Sequence, residues 1–205
     1  MVQQDFPLFP LEIVALPHEA VPLHIFEPRY RTMVAECLES GSEFGIVWAS
    51  EDGLRQVGCA CEIAEVLERH EDGRLDILTR GTRPFRLVEA HENLPYPAGT
   101  VEWLADKPEQ PDPATAEAAH DAYATLVEQA TDQEPERDEV AAMSAYAMAA
   151  TVDFGLEAKQ GLLSLRSENA RLRLVTRLLR AALKRLDFIE RAQARARSNG
   201  KVRFG

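Results

Sequence analysis

Over the first half of the chain the apolar side chains come in short runs, broken by glycine, proline and acidic turns. That spacing is expected of strands in a small barrel or sandwich. Candidate strands are Phe6–Leu11, Ala20–Ile25, Glu43–Ser50, Val57–Glu68, Arg74–Thr79, Arg83–His91 and Thr100–Leu104. In the fourth, Val57, Cys59, Cys61 and Ile63 alternate with Gly58, Ala60, Glu62 and Ala64. Period two sends alternate residues to opposite faces, so the larger apolar groups share one of them. Glu71-Asp72-Gly73-Arg74 is a hairpin signal, because glycine readily supplies the positive φ of a tight antiparallel connection. The fourth and fifth strands are therefore expected to pair. One helix interrupts the region: Tyr30, Met33, Val34, Cys37 and Leu38 repeat at helical spacing, with Pro28 near the start and Gly41 after the end.

The pattern changes near residue 107, where Lys107-Pro108-Glu109-Gln110-Pro111-Asp112-Pro113 sets three prolines in a polar stretch. Neither a helix interior nor a central strand accepts that composition, so it is expected to link two parts. Beyond it the period is helical. Ala119, Tyr123, Leu126, Val127 and Ala130 form one stripe and Val140, Met143, Ala147 and Met148 another, with Pro135 between them. Leu156–Ser164 predicts a short third helix. Ser167 and Glu168 then open a long one, whose stripe is Leu172, Val175, Leu179, Leu183, Leu186 and Ile189. From Ala192 the large apolar residues thin out while arginines persist, and a frayed end is expected.

Charge adds an asymmetry to this α+β plan. The net charge of −11 combines 31 acidic and 11 basic side chains before residue 166 with 3 acidic and 12 basic from residue 166 on. The acidic body should repel nucleic acid; the basic end is open to phosphates, acidic lipids or acidic proteins, or is simply a solvated helix face. No apolar run is long enough to span a bilayer, and the amino terminus lacks a secretory pattern. Three cysteines, Cys37, Cys59 and Cys61, do not make a disulfide framework. The expectation is a cytoplasmic chain without a membrane partner.

Familiar catalytic signatures are missing. The one Gly-Lys pair, Gly200-Lys201, is followed by Val202 rather than the hydroxyl residue a phosphate loop needs, and no Gly-x-Ser-x-Gly or Gly-x-Gly-x-x-Gly turn occurs. His18, His24 and Glu27 are the best-spaced zinc candidates, against a reading in which His24 and Glu27 hydrogen-bond the turn into the first helix and Glu27 pairs with Arg29 or Arg31. Cys59 and Cys61 are metal ligands only if another pair completes the set, and otherwise core thiols. Arg80, Arg83 and Arg86 around Gly81 either converge on a carboxylate or phosphate or stand apart in water. Trp48 and Trp103, each closing a strand, either line a peptide groove or pack in the core.

Phe6-Pro7-Leu8-Phe9-Pro10-Leu11, followed by Pro22-Leu23-His24-Ile25-Phe26-Glu27-Pro28-Arg29-Tyr30-Arg31, resembles the signature of the amino-terminal substrate-binding domain of Lon proteases. Phe44-Gly45-Ile46-Val47, Val57-Gly58, Asp72-Gly73-Arg74, Gly81 with Phe85-Arg86, and Pro95-Tyr96 before Val101-Glu102 are similar in turn. So are Glu157-Ala158-Lys159-Gln160-Gly161-Leu162-Leu163 and Asn169-Ala170-Arg171-Leu172. The resemblance implies a PUA-like β pseudo-barrel at residues 1–106, a proline-rich linker at 107–111, a helical bundle at 112–196 and a flexible basic tail at 197–205. The family's proteases continue into an ATPase and a peptidase domain; in departure from them, a stand-alone form without either is expected here.

The function that follows is non-catalytic recognition of unfolded or partly unfolded polypeptides, as an adaptor or holdase, with no cofactor and no metal. Candidate contacts are His24, Glu27, Arg31, Trp48, Arg80, Arg83 and Trp103. A neighbouring protease, or self-association through the long helix, would be further partners. The alternative is RNA binding, suggested by PUA-like relatives and the basic end.

Overall fold

The structure is a computed structural model that describes residues 1–199, with side-chain surroundings through Ile189 and at Arg191 and Ala192. Its elements run β1 (Val2–Leu11), β2 (Ala20–Ile25), α1 (Pro28–Ser40), β3 (Phe44–Ser50), β4 (Gly53–Leu54), β5 (Val57–Arg69), β6 (Leu75–His91) and β7 (Ala98–Trp103). The helices α2 (Pro113–Thr131), α3 (Arg137–Ala141), α4 (Ala145–Ala149), α5 (Leu156–Leu163) and α6 (Glu168–Asn199) follow. This is the expected α+β order. Residues 200–205, the rest of the stretch expected to fray, lie outside the described residues.

The sheet closes on itself. Antiparallel pairings join β1, β7, β6, β5 and β3 in that order, and β3 returns to lie parallel with β1. Every strand of this circuit contributes to one small apolar cluster: Phe6 and Leu8, Val47, Ala60, Phe85, and Val101. That cluster is the interior of the closed sheet. The Phe85 ring fills it, and it fits because Gly45 and Gly58 carry no side chain; a Cβ there would stand 2.6 Å and 2.5 Å from the ring. Ala60 is therefore as buried as Cys59 and Cys61, and β5 begins with both faces covered rather than one.

The other face of the circuit meets α1. Tyr30, Met33, Val34 and Cys37 are buried in the larger core with Phe9, Phe44 and Ile46, and the Phe9 and Tyr30 rings stack with centroids 4.1 Å apart. Burial of each such side chain stabilises the fold by about 1.5–3 kcal/mol. Gly41, at φ 64°, ends the helix as its position predicted, its N–H donating to the Cys37 carbonyl. The same apolar cluster continues into the helices, where Leu172, Val175 and Leu179 of α6 are buried and Leu183 and Leu186 half-buried. Most of the leucine stripe is thus used internally, leaving Phe188 and Ile189 exposed.

Two expected elements are drawn differently. The strands expected at Arg74–Thr79 and Arg83–His91 are one strand, β6, with Gly81 inside it. This glycine marks a close approach and not a turn: the Leu16 carbonyl lies where its Cβ would be, and Gly81 exchanges backbone hydrogen bonds with Glu19 and His18. The stripe from Val140 to Met148 is two short helices, because Ser144 leaves the helix to cap α4 by accepting from the Ala147 N–H.

The proline-rich stretch lies bonded along the start of α6. Lys107 N–H donates to the Arg166 carbonyl, Ser167 Oγ donates to Glu109, and Asp112 N–H donates to Asn169 Oδ1. Further ties run between the barrel and α5, where Lys159 meets Glu19 at 2.5 Å and Gln160 donates to the Val57 carbonyl at 3.0 Å.

Candidate functional site

The outer side of the β2–β6–β5 ladder carries the one close group of three ligand-type side chains found among the described residues. Glu68, Asp76 and His24 are directly paired across the three strands, so their side chains stand in one row on the same face. His70 follows at the hairpin. Its Nε2 lies 2.7 Å from Asp76 Oδ2, and His24 Nδ1 lies 2.5 Å from Asp76 Oδ1. The two imidazoles meet edge to face with centroids 5.8 Å apart. Hydrogen bonds from His24 and then His70 hold the Asp76 carboxyl below the usual carboxylate range.

Around this row lies a shallow hollow lined by Pro22, Leu23, His24, Leu67, Glu68, Asp76 and Ile77. Two large apolar side chains flank it in water. Leu67, 52% exposed, falls at a register shift of β5, which turns it away from the core. Phe26, 59% exposed, stacks on His24 with centroids 5.9 Å apart. Among the described strands, β2 pairs with β6 alone, so its second edge has no strand beside it.

Glu27 and Arg31 sit at the neighbouring start of α1. Glu27 is the residue before the helix but makes no capping bond; its carboxylate meets Arg29 at 2.9 Å. Arg31 lies over the β5–β6 hairpin, its guanidinium filling the space above Gly73, whose φ is 82°. Any side chain at position 73 would be strained in its backbone and would collide with Arg31 as well. The structure thus gathers His24, Glu27 and Arg31 at one end of the molecule.

The remaining sequence candidates lie elsewhere. Trp48 is buried with Arg55 across its ring at 4.8 Å. Trp103 packs edge-on against Phe6 and Phe85 in the barrel interior, and the Arg83 guanidinium covers its other side at 3.8 Å. Arg83 pairs with Glu43 at 2.8 Å and Arg86 with Glu102 at 3.7 Å, while Arg80 stands opposite Ala20 and Glu62. The three arginines do not converge. His18 lines a separate pocket with Asp106 and His120, so His18, His24 and Glu27 form no ligand set. Cys59 and Cys61 are fully buried and free, and burial pushes the Cys59 thiol up.

His70, Asp76, Phe26 and Leu67 are the residues that sequence reasoning did not single out. The hairpin signal placed Asp76 on one of two paired strands and His70 just before the turn between them, but only the β2–β6 pairing brings His24 to them.

The model of the ATP-dependent protease La (LON) substrate-binding domain matches residues 5–181. The chain belongs to this family. The Lon protease of Parabacteroides distasonis is 31% identical over 121 residues, covering 54% of this chain and 15% of that protein, so the likeness spans a small part of the relative. The crystal structure of a Lon N-terminal domain protein from Xanthomonas campestris matches with a TM-score of 0.64 and 26% identity, over 83% of this chain and 96% of that one. The N-terminal domain of a Mycobacterium avium complex Lon protease shares the fold, with a TM-score of 0.61 and 22% identity over 86% of this chain and 98% of that one. Residues 5–181 are accordingly a Lon substrate-binding domain, a recognition unit and not a catalytic one. The Pro22–Arg31 block of this Lon domain builds β2 and the entry to α1, and with them one side of the hollow beside His24.

Proposed function

We propose that this Lon domain recognises unfolded or partly unfolded polypeptide segments at the open edge of β2, and serves as an adaptor or holdase for them. The observation that carries the reading is a strand edge with no partner among the described strands, followed directly by the exposed Phe26, with the exposed Leu67 of β5 across β6 on the hollow beside His24. Such an edge can add a strand of bound peptide through main-chain hydrogen bonds, while apolar side chains of the peptide cover Phe26 and reach over the hollow toward Leu67. Recognition of this kind is tolerant of sequence and of modest affinity, because an ordering cost accompanies each bound segment.

The test is fluorescence anisotropy of a labelled, permanently unfolded protein titrated with the chain at two salt concentrations, with an RNA oligonucleotide as competitor. Binding that survives salt and RNA, and that Phe26→Ser with Leu67→Ser weakens about tenfold or more, supports the proposal. Binding unchanged in that double variant overturns the β2 edge as the surface.

A second reading has its own observation. Arg173, Arg177 and Arg180 form an exposed row on α6, a shape suited to a phosphate backbone. If the chain binds RNA, affinity should fall steeply with salt and drop on replacing those arginines.

A further inference from the structure

We propose that His24, His70 and Asp76 form a binding site for one divalent transition-metal ion of the zinc class, joining β2, β6 and the end of β5. The proposal does not rest on polypeptide binding.

The donor set is the first argument. Two imidazole nitrogens and a carboxylate oxygen lie within 4.8 Å of one another. Donors about 2.0–2.1 Å from a common zinc ion stand about 3.3 Å apart in a tetrahedral arrangement, so modest side-chain rotation brings these three into place. The mixture of nitrogen and oxygen favours zinc, nickel or copper over magnesium or calcium, which take oxygen alone. Three protein ligands leave a fourth position to water, and the partial exposure of His24, His70 and Asp76 gives the ion a way in.

The second argument is the rigidity of the frame. His24 and Asp76 are opposed in an unbroken β2–β6 register, Ala20↔Arg80 to Ile25↔Leu75. The hairpin that carries His70 is held by hydrogen bonds between His70 and Arg74 and between Gly73 and His70. Glu68 Oε1 stands 3.7 Å from the His70 Nδ1, longer than a hydrogen bond, on the side of the ring away from Asp76. If that gap closes on metal binding, the carboxylate favours the proton on Nδ1 and leaves the Nε2 lone pair to the ion, the arrangement that raises ligand basicity in zinc sites. In the metal-free protein the two imidazoles share Asp76 through hydrogen bonds; the ion replaces those bridging protons, which leave to solvent.

Binding would clasp β2 to the hairpin. Phe26, stacked on His24, and Leu67, which lines the hollow with His24, would then be held in fixed relation.

The experiment uses the untagged chain, stripped with a chelator, titrated with Zn²⁺ alone by calorimetry and by competition with a chromophoric chelator, and with Co²⁺ read by absorbance. One equivalent should bind at micromolar dissociation constant. His24→Ala, His70→Ala and Asp76→Asn should each weaken it at least about tenfold, and Glu68→Gln less. His18→Ala should leave it unchanged. A second readout uses the wild-type chain: Zn²⁺ should shift the imidazole resonances of His24 and His70 before those of His18, His91 and His120. Binding no tighter than millimolar, equal loss in His18→Ala, or resonance shifts spread over all five histidines would overturn the site.

Discussion

Arg171 of α6 grips Asp106, the second residue after the buried Leu104, through both terminal nitrogens of its guanidinium. Only 3% of the Arg171 side chain is exposed, and it is the one charged residue fully buried among those described. It also donates to Glu168 and to the Leu165 carbonyl and lies 4.3 Å over the Tyr146 ring. The exit of the barrel and the start of α6 are thereby fixed to each other by one side chain. Replacing it with Met keeps the bulk but strands Glu168, so Arg171→Met should cost about 3 kcal/mol, toward the low end for breaking a buried pair because Asp106 still reaches water. Asp106→Asn should cost less, since Glu168 remains to Arg171. Urea unfolding of both variants checks the order; equal or reversed losses would show that the pair with Asp106 carries the whole contribution and the pair with Glu168 none.

Inside the barrel, Phe85 and the two glycines beneath it make a paired prediction. At Gly45 an added Cβ meets only side chains, Phe85 and Phe6; at Gly58 it also meets the Ile46 carbonyl oxygen at 2.7 Å. Gly45→Ala and Gly58→Ala should each destabilise by about 1–3 kcal/mol, as overpacked cores do. Phe85→Leu should partly rescue the first and leave the second nearly unrelieved, because backbone cannot step aside. Thermal melts of the two double variants, compared with the single ones, decide it.

What could be read in the sequence was local. The α1 stripe, Pro28 and Gly41 define a helix within thirteen residues, and β2 is found where a short apolar run between turn residues put it. Gly81 misled for a physical reason: a glycine that breaks a strand and one that admits a distant carbonyl look alike until Leu16 is placed. Ser144 ends one helix and starts another inside a continuous apolar stripe, so periodicity alone ran through it. The candidate site was half legible. His24 stood out, but its partners lie 46 and 52 residues further on and reach it only through a β2–β6 pairing that no local pattern encodes.

Acid should loosen both the tie of Glu109 to the start of α6 and the Asp112 cap of α2 before the core opens. The hydroxyl of Ser167 and the Asn169 N–H hold the Glu109 carboxyl below its usual range, and Thr115, through its hydroxyl and N–H, does the same for Asp112. Carboxyls depressed in the folded state favour folding above their unfolded values, near pH 4, and lose that contribution as pH falls through the folded ones. The amide resonances of Asn169 and Thr115 should therefore move together as pH drops from neutral to about 3, and Glu109→Gln should flatten the Asn169 response. An Asn169 amide that titrates identically in that variant would show that the bond to Glu109 is not what senses pH.

All three cysteines should be silent in the folded protein. Cys37, Cys59 and Cys61 are buried, and burial is the main reason that the thiols of Cys37 and Cys59 titrate above their ordinary value. The thiolate is the reactive form, so neither solvent access nor ionisation favours attack. A disulfide reagent such as Ellman's should release no rapid absorbance at neutral pH and should report three thiols once the chain is unfolded in guanidinium. The slow rate in native buffer should track global stability, rising in Arg171→Met and Gly58→Ala. A single fast thiol would place an opening at β3–β5 or α1 that the packing of this core does not provide, and would give added zinc a competing ligand outside the His24, His70 and Asp76 group.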